Sequence, residues 1–206
     1  MKINNIFCVG RNYAKHAAEL GNEAPSKPMI FSKPTHSITY ADGNSITFPS
    51  KKGEIHYEIE LVLYIGKPVP EQFKVDDIVT QLALGIDFTL RDVQTTLKEK
   101  GHPWLLAKGF KNAALLTKFW DFPGVETCEQ ETFTLLQNDK VVQKGQAKSM
   151  IFNFQVLLQY IYENFGLAEG DVIFTGTPEG VGPIHHEDEF RLLWGEKEKG
   201  SFRVKL

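Results

Sequence analysis

Short apolar runs interrupted by glycine and proline dominate the first two-thirds of the chain, and they constrain its fold more than any other feature. Runs of this length are typical of buried β-strands, because a helix of a globular domain needs a longer apolar repeat. The clearest strand candidates are residues 45–48, 58–65, 82–88, 132–136 and 171–174. Asn138 and Asp139 favour a hairpin turn, since both residue types tolerate positive φ angles.

Helices are expected to be fewer than strands. The predicted helical segments are residues 14–20, 91–100 and 150–165. In the last of these, apolar side chains recur at helical spacing, and Gly166 is the predicted C-terminal cap. Residues 21–28 are rich in glycine, proline and asparagine, and we expect a mobile surface loop there. Together these patterns predict a β-rich α+β fold, with residues 1–206 as a single domain.

Apolar content, net charge and cysteine spacing exclude several classes of protein for this chain. The chain has 206 residues, 42% of them apolar, which is enough for one complete hydrophobic core. The net charge of −3 argues against a general nucleic-acid binder, which needs a basic excess. Cys8 and Cys128 lie far apart and form no motif for zinc or for a disulfide framework. We see no membrane-spanning apolar run and no convincing signal peptide, so we expect a cytoplasmic protein with no membrane partner.

Three carboxylates are candidates for a metal site. Glu58 and Glu60 share one face of a predicted strand, either as metal ligands or as solvated groups on a half-exposed strand. Asp87 ends the apolar run 82–86, where an isolated charge is costly, so it is expected to meet a cation. Alternatively, Asp87 pairs with Arg91 or caps the following helix. Three oxygen ligands without histidine or cysteine suit Mg²⁺ or Mn²⁺.

Two further segments carry groups able to act on a substrate. His16 and Glu19 lie one helical turn apart, so Glu19 is able to orient His16 and make it a better general base. The alternative is an exposed helical pair without a catalytic role. Lys108 lies between apolar residues and is either extended to water or directed at an anion.

Candidate substrate contacts follow the carboxylates along the chain. Arg91 suits a carboxylate through paired hydrogen bonds, and Gln94 lies one turn further on. Thr177 lies in the segment TGTPEGVGP, which lacks the lysine and the glycine spacing of a nucleotide-binding loop. Its hydroxyl is a candidate donor to a ligand, and the alternative is a purely structural turn.

Six segments occur in an order that matches a known family. They read GRNYAKHAAELG, IFSKPTHSI, HYEIELVLYIGK, GIDFTLRDVQ, HPWLLAKGF and GDVIFTGTPEGVGP, and they span residues 10–183. Taken together they resemble the fumarylacetoacetate hydrolase family. The size of the chain is most similar to the branch that contains acylpyruvases and oxaloacetate decarboxylases or tautomerases. The resemblance implies the fold of this family's C-terminal domain, β-rich with a few short helices, and usually a homodimer.

The resemblance also implies roles for the candidate residues. The ligands of Mg²⁺ or Mn²⁺ would be Glu58, Glu60 and Asp87. The catalytic residues would be His16, Glu19 and Lys108, the first two carried on a lid. The substrate-binding residues would be Arg91, Gln94 and Thr177.

The activity that the resemblance implies is metal-dependent hydrolysis of the C–C bond of small acylpyruvate-type 2,4-dioxo acids, through a metal-stabilised enolate. His16 would activate the water, and Lys108 would stabilise the oxyanion. The same enolate arises in an oxaloacetate decarboxylase or tautomerase, or in a 2-hydroxyhepta-2,4-diene-1,7-dioate-type isomerase, and these are the alternatives. A further alternative is a non-catalytic module that binds a metal or a dicarboxylate. The expected partners are a small 2-oxo acid and a second copy of the chain.

Overall fold

Short strands make up most of the regular structure. The computed structural model describes residues 2–19, 21 and 25–206, and over these residues the chain forms sixteen strands and six α-helices. The strands are β1 (Ile6–Gly10), β2 (Met29–Lys33), β3 (Ile38–Tyr40), β4 (Asp42–Thr47), β5 (Ile55–Tyr57), β6 (Ile59–Ile65), β7 (Val79–Asp87), β8 (Thr89–Leu90), β9 (Ala114–Leu116), β10 (Trp120–Asp121), β11 (Thr132–Gln137), β12 (Lys140–Gln146), β13 (Val172–Phe174), β14 (Gly182–Pro183), β15 (Glu189–Trp194) and β16 (Lys197–Lys205). The helices are α1 (Ala14–Glu19), α2 (Val75–Ile78), α3 (Arg91–Glu99), α4 (Leu105–Lys108), α5 (Val125–Gln130) and α6 (Phe154–Phe165).

Within this described part of the chain, the strands form three sheets. The largest has the order β2-β1-β13-β6-β7-β9-β3, with β10 also paired to β7. The second has the order β12-β11-β15-β16-β4, and the third has the order β14-β5-β8. Most pairs are antiparallel, whereas β1 with β13, β3 with β9 and β4 with β16 are parallel. Mixed sheets with a few short helices are the β-rich α+β fold that the sequence predicts.

The centre of the largest sheet is covered on both faces. Leu61 of β6 packs into an apolar cluster that also contains Leu157 of α6. The next residue, Val62, points to the opposite face and packs into a second cluster with Phe174. Since side chains alternate along a strand, the apolar residues of β6 are directed in turn into two apolar layers. Glu60 on β6 and Asp87 at the end of β7 are almost completely buried.

Helix α6 begins later than the apolar spacing predicts. The side chain of Asn153 accepts a hydrogen bond from the amide of Val156 over 3.0 Å, which caps the helix. The preceding amide of Phe152 donates instead to the side chain of Asn12 over 2.8 Å. This contact holds the chain outside the helix up to the cap. The end is as predicted, with Gly166 at φ +80°.

Some of the other predicted elements are confirmed, and others differ from the structure or lie partly outside the described residues. The turn at Asn138 and Asp139 is confirmed, with φ angles of 51° and 64° between β11 and β12. The predicted strand 58–65 is confirmed as β6, except that it begins at Ile59, and Glu58 lies between β5 and β6. The predicted helix 14–20 is confirmed as α1, although Leu20 lies outside the described residues. The predicted loop 21–28 includes residues 22–24, which also lie outside them.

No helix in the described part of the chain is long and apolar enough to cross a membrane. The cytoplasmic location stays a prediction.

Candidate active site

The antiparallel register of β6 and β7 brings the three predicted carboxylates together. Glu60 lies opposite Gly85, and the amide of Asp87 donates to the carbonyl oxygen of Glu58 over 2.9 Å. Gly85 leaves room for the ring of Phe174, because a Cβ there would lie 2.5 Å from it. Carboxylate oxygens from the three acids lie within 4.8 Å of one another. The half-exposed strand considered from the sequence is wrong, since Glu58 is only 5% and Glu60 only 1% exposed.

Glu58 lies where the chain passes from the small sheet into the large one. Strand β5 ends just before it, and β6 begins just after it at Ile59. The side-chain oxygen of Gln143 accepts the amide of Ile59 over 2.9 Å. This hydrogen bond satisfies a backbone group that the strand interruption would otherwise leave unpaired in a buried place.

Lys108 is the cation that contacts two of the three carboxylates. Its Nζ donates to Glu58 over 2.8 Å, to Asp87 over 2.6 Å and to the hydroxyl of Thr89 over 2.6 Å. Burial lowers the pKa of Lys108, but the charges of Asp87 and Glu58 outweigh burial and raise this pKa above its ordinary value. The ammonium group therefore stays charged. Extension of Lys108 to water is wrong, because the residue is 2% exposed.

Two more cations complete the ion pairs. The Nζ of Lys33 lies 2.5 Å from Oδ1 of Asp87, and Nη2 of Arg91 donates to Glu58 over 2.5 Å. The expected alternatives for Asp87 are wrong. In the described chain its ion-pair partners are Lys33 and Lys108 rather than Arg91, and the N-cap residue of α3 is Leu90.

The two glutamates have opposite pKa shifts. Burial raises the pKa of Glu58, but the nearby charges of Lys108 and Arg91 outweigh burial and hold it well below its ordinary value. Burial also raises the pKa of Glu60, and the neighbouring charge of Asp87 raises it further, to well above its ordinary value. A divalent cation among these carboxylates would favour their ionised forms.

The donor set fits a hard divalent cation. Metal–oxygen distances for Mg²⁺ are about 2.0–2.1 Å, so a small inward movement from the observed spacing would place all three carboxylates on one ion. Oδ1 of Asp87 is buried and accepts no hydrogen bond within the described chain. Lys33 lies close to this oxygen but directs its hydrogen bonds to the carbonyl oxygens of Phe88 and Lys108. Three buried carboxylates, one of them with an oxygen that accepts no hydrogen bond, form an oxygen donor set that suits Mg²⁺ or Mn²⁺.

His16 is held by α1 beside the carboxylates. It is 4% exposed, and its Nδ1 lies 3.4 Å from a carboxylate oxygen of Glu19. The carboxylate of Glu19 also accepts the amide of Gly180 over 3.2 Å. A fully exposed His16–Glu19 pair is therefore wrong. Through Glu19, α1 is attached to the loop that follows β13.

The predicted substrate contacts line the same cleft. The hydroxyl of Thr177 accepts a hydrogen bond from Gln143 over 2.9 Å, and Gln94 accepts one from Arg91 over 2.6 Å. Of the nine residues predicted from the sequence, all except Glu19 line this cleft: His16, Glu58, Glu60, Asp87, Arg91, Gln94, Lys108 and Thr177. Glu19 reaches it through its contact with His16.

Sequence reasoning missed two buried residues of this site. Lys33 ends an apolar strand, and the same signal that singled out Lys108 would have found it. Gln143 does not lie within an apolar run, so nothing in its local sequence predicts that it is buried. It is 2% exposed, whereas its neighbour Val141 is 62% exposed, the reverse of what residue type predicts.

Comparison with known proteins matches nearly the whole chain. A family model described as fumarylacetoacetate (FAA) hydrolase C-terminal matches residues 5–202. The mitochondrial oxaloacetate tautomerase of Arabidopsis thaliana is 41% identical over 182 residues, which cover 87% of this chain and 81% of the relative. The mitochondrial oxaloacetate decarboxylase of Dictyostelium discoideum is 38% identical over 184 residues, with 87% and 83% covered. The crystal structure of fumarylpyruvate hydrolase from Pseudomonas aeruginosa, in complex with Mn²⁺ and pyruvate, has a TM-score of 0.91 at 31% identity and covers 99% of this chain and 90% of its own.

Proposed function

The chain belongs to the fumarylacetoacetate hydrolase family, and we propose that it is an oxaloacetate tautomerase that interconverts the keto and enol forms of this acid. The observation that carries the choice of reaction is the 41% identity, over most of both chains, to an oxaloacetate tautomerase. The C–C hydrolase expected from the sequence is supported only at the level of the family. The oxaloacetate decarboxylase or tautomerase, which the sequence offered as an alternative, is therefore better supported than the hydrolase.

The proposed reaction moves one proton. The keto form of oxaloacetate carries a CH₂ group, C3, between the 2-oxo group and the distal carboxylate. Loss of one proton from C3 and gain of one proton at the keto oxygen give the enol. The site must therefore supply a base near C3 and stabilise negative charge on the keto oxygen.

His16 is the residue that we assign as the base. It is buried in the cleft, and Glu19 contacts its Nδ1, which leaves Nε2 of the ring for the proton of C3. A carboxylate hydrogen-bonded to the other ring nitrogen stabilises the imidazolium that forms. In the forward direction the imidazolium gives up this proton to solvent while the enolate oxygen takes one from solvent, and in the reverse direction the protonated ring returns a proton to C3.

Negative charge on the keto oxygen is the second requirement. Mg²⁺ or Mn²⁺ held by Glu58, Glu60 and Asp87 would supply Lewis-acid polarisation of the 2-oxo group. The side chain of Lys108, which donates to Glu58 and Asp87, adds a hydrogen-bond donor in the same cleft.

Charge balance favours a dianionic substrate. The three carboxylates are matched by the three cationic groups of Lys33, Lys108 and Arg91. A divalent cation would leave two excess positive charges in a buried place, and oxaloacetate carries two negative charges. Arg91, Gln94 and Thr177 present polar groups around this position and are assigned to orient the substrate.

A C–C hydrolase acting on acylpyruvates is the second candidate. The observation that favours it is the TM-score of 0.91 to a fumarylpyruvate hydrolase, together with a buried His16–Glu19 pair suited to activating water. In that reaction His16 would take its proton from water rather than from C3.

Product analysis tests the proposal directly. Protein loaded with Mg²⁺ is incubated in D₂O with oxaloacetate or acetylpyruvate, and products are followed by NMR, with a chelator control. Metal-dependent acceleration of keto–enol exchange and of deuterium entry at C3 supports the tautomerase. Faster release of CO₂ and pyruvate would indicate a decarboxylase, and acetate plus pyruvate from acetylpyruvate would indicate a hydrolase. Ligand-induced stabilisation with no turnover of either acid would instead support a binding module.

We also propose that the chain assembles as a homodimer, as the family resemblance implies. Light scattering coupled to gel filtration tests this. Twice the chain mass of 23.3 kDa supports the dimer, and a mass of 23.3 kDa contradicts it.

A further inference from the structure

Two cationic side chains line the cleft without an acidic partner. Arg11 follows β1 and is half-buried, and Lys98 lies near the end of α3 and is exposed. Neither side chain makes a hydrogen bond or ion pair with any residue that the structure describes. The cations closer to the carboxylates are different, because Lys108 and Arg91 both have acidic partners.

The backbone of Arg11 is held in an unusual conformation. Its φ angle of 57° lies in the left-handed region, which non-glycine residues rarely adopt. The next residue, Asn12, is completely buried, and its side chain donates to the carbonyl oxygens of Phe152 and Thr175 over 3.0 and 2.8 Å. These contacts fix the residue that follows Arg11, and Arg11 itself lines the cleft. Strain maintained in this way is typical of functional positions.

Arg91 is already committed to protein groups. Its guanidinium donates to Glu58 and Gln94, and its Nε donates to His56 over 3.4 Å. Burial lowers the pKa of Lys98, and the nearby positive charges of Arg11 and Arg91 lower it further. Three cations thus lie within electrostatic reach of one another, and two of them keep their donors for a ligand.

We infer that Arg11 and Lys98 bind the distal carboxylate of a dicarboxylic 2-oxo acid at the cleft entrance, and thereby select dicarboxylates over monocarboxylates. The inference rests on the proposed function for its choice of ligand. The carboxylate and keto oxygen at one end of the acid belong with the metal-ligand set. We place the second carboxylate away from it, beside the two cations that have no acidic partner.

Binding of two matched acids tests this inference. Oxaloacetate and 2-oxobutanoate share a four-carbon 2-oxo acid chain, but 2-oxobutanoate has a methyl group in place of the distal carboxylate. Affinities are measured by calorimetry on Mg²⁺-loaded wild-type protein and on Arg11→Gln, Lys98→Gln and Lys100→Gln variants. Lys100 lies at the end of the same helix but outside the cleft, so it controls for the loss of one surface charge.

The expected result is a selective loss. Wild-type protein binds oxaloacetate more tightly than 2-oxobutanoate. Arg11→Gln weakens oxaloacetate binding about tenfold or more, because a charge-assisted hydrogen bond is lost. The exposed Lys98→Gln weakens it about two- to fivefold, since solvent screens its charge. Affinity for 2-oxobutanoate stays within about twofold in every variant, and Lys100→Gln changes neither acid.

Three outcomes would overturn the inference. They are equal wild-type affinity for the two acids, equal losses for both acids in Arg11→Gln, or unchanged oxaloacetate affinity in both cleft variants. Lys98→Gln is not expected to disturb folding, because this side chain is exposed. A loss of oxaloacetate affinity in this variant therefore reports on binding rather than on folding. The proposed function is tested separately. Selective binding without tautomerase activity in the wild type would support the carboxylate site and contradict the tautomerase.

Discussion

The side-chain amide of Gln143 donates to the hydroxyl oxygen of Thr177 over 2.9 Å, and both residues are almost completely buried. The same amide group also donates to the carbonyl oxygen of Pro178, while its oxygen accepts the amide of Ile59. One side chain therefore connects the start of β6, next to Glu58, with the turn that carries Thr177. All of its hydrogen bonds lie in the interior, where each is costly to lose.

Replacement of Gln143 by alanine tests this connection. We expect Gln143→Ala to lose about 1–3 kcal/mol of unfolding free energy and to raise KM, because buried partners on both segments become unpaired. Chemical denaturation and steady-state kinetics measure the two effects. Gln146→Ala, on the same strand and less buried, should stay within about 0.5 kcal/mol of wild type. Equal effects of the two substitutions would contradict the assignment.

Replacement of His16 tests the general base. His16→Gln should lower kcat about 10²- to 10⁴-fold, because no other group contacted by Glu19 is able to take the proton. Mn²⁺ affinity, measured by electron paramagnetic resonance, should be unchanged, since His16 is outside the ligand set. The control is Lys15→Gln on the same helix, whose side chain is 83% exposed. Full activity in His16→Gln would place the base elsewhere.

The proposed metal site predicts that substitution of the buried carboxylates weakens metal binding and that substitution of an exposed carboxylate does not. Glu60→Gln and Asp87→Asn should each weaken Mn²⁺ binding by at least about tenfold, because each removes a charged oxygen ligand. Glu71→Gln removes an exposed carboxylate and should have no effect. Titration of Mn²⁺ followed by its resonance signal measures all three. Wild-type affinity in both buried variants would mean that the cation binds at another place.

Asp188 predicts how stability depends on pH. Burial raises its pKa, but hydrogen bonds from Asn138, from the amide of His185 and from Gln137 outweigh burial and lower this pKa below its ordinary value. A lowered folded-state pKa stabilises the protein above the unfolded pKa of about 3.9, and the stabilisation is lost as pH falls through the folded value.

Urea unfolding between pH 3 and pH 7 measures this effect. Asp188→Asn should be less stable than wild type near pH 7, and the difference should shrink as pH falls below about 3.9, because the carboxyl of the unfolded wild-type chain is protonated first. The exposed Asp121→Asn serves as the control and should follow the wild-type curve. A constant stability difference across this range would show that Asp188 does not titrate as described.

The sequence predicts the parts of this fold that depend on local pattern. The apolar run before Asp87 predicts a buried carboxylate, and the spacing of apolar residues predicts most of α6. The break at Glu58 could not be predicted in this way, because it depends on Gln143, a residue from a distant strand of another sheet. The burial of Lys33 likewise follows from its distant partner Asp87. Sequence pattern finds residues with unusual local surroundings, and it misses residues whose surroundings come from elsewhere in the chain.

The parallel pairing of β1 with β13 has a consequence for synthesis on the ribosome. Ile6 lies opposite Val172, so β1, which is synthesised early, cannot complete its pairing in the sheet until β13 has been synthesised. The segment after β13 then supplies the amide that Glu60 accepts, from Gly176, and the amide that Glu19 accepts, from Gly180. Pairing over such a separation forms slowly. In a nascent chain, Glu60 and Glu19 therefore lack these two hydrogen bonds until the segment after β13 has been translated. We expect catalysis to begin only after that point.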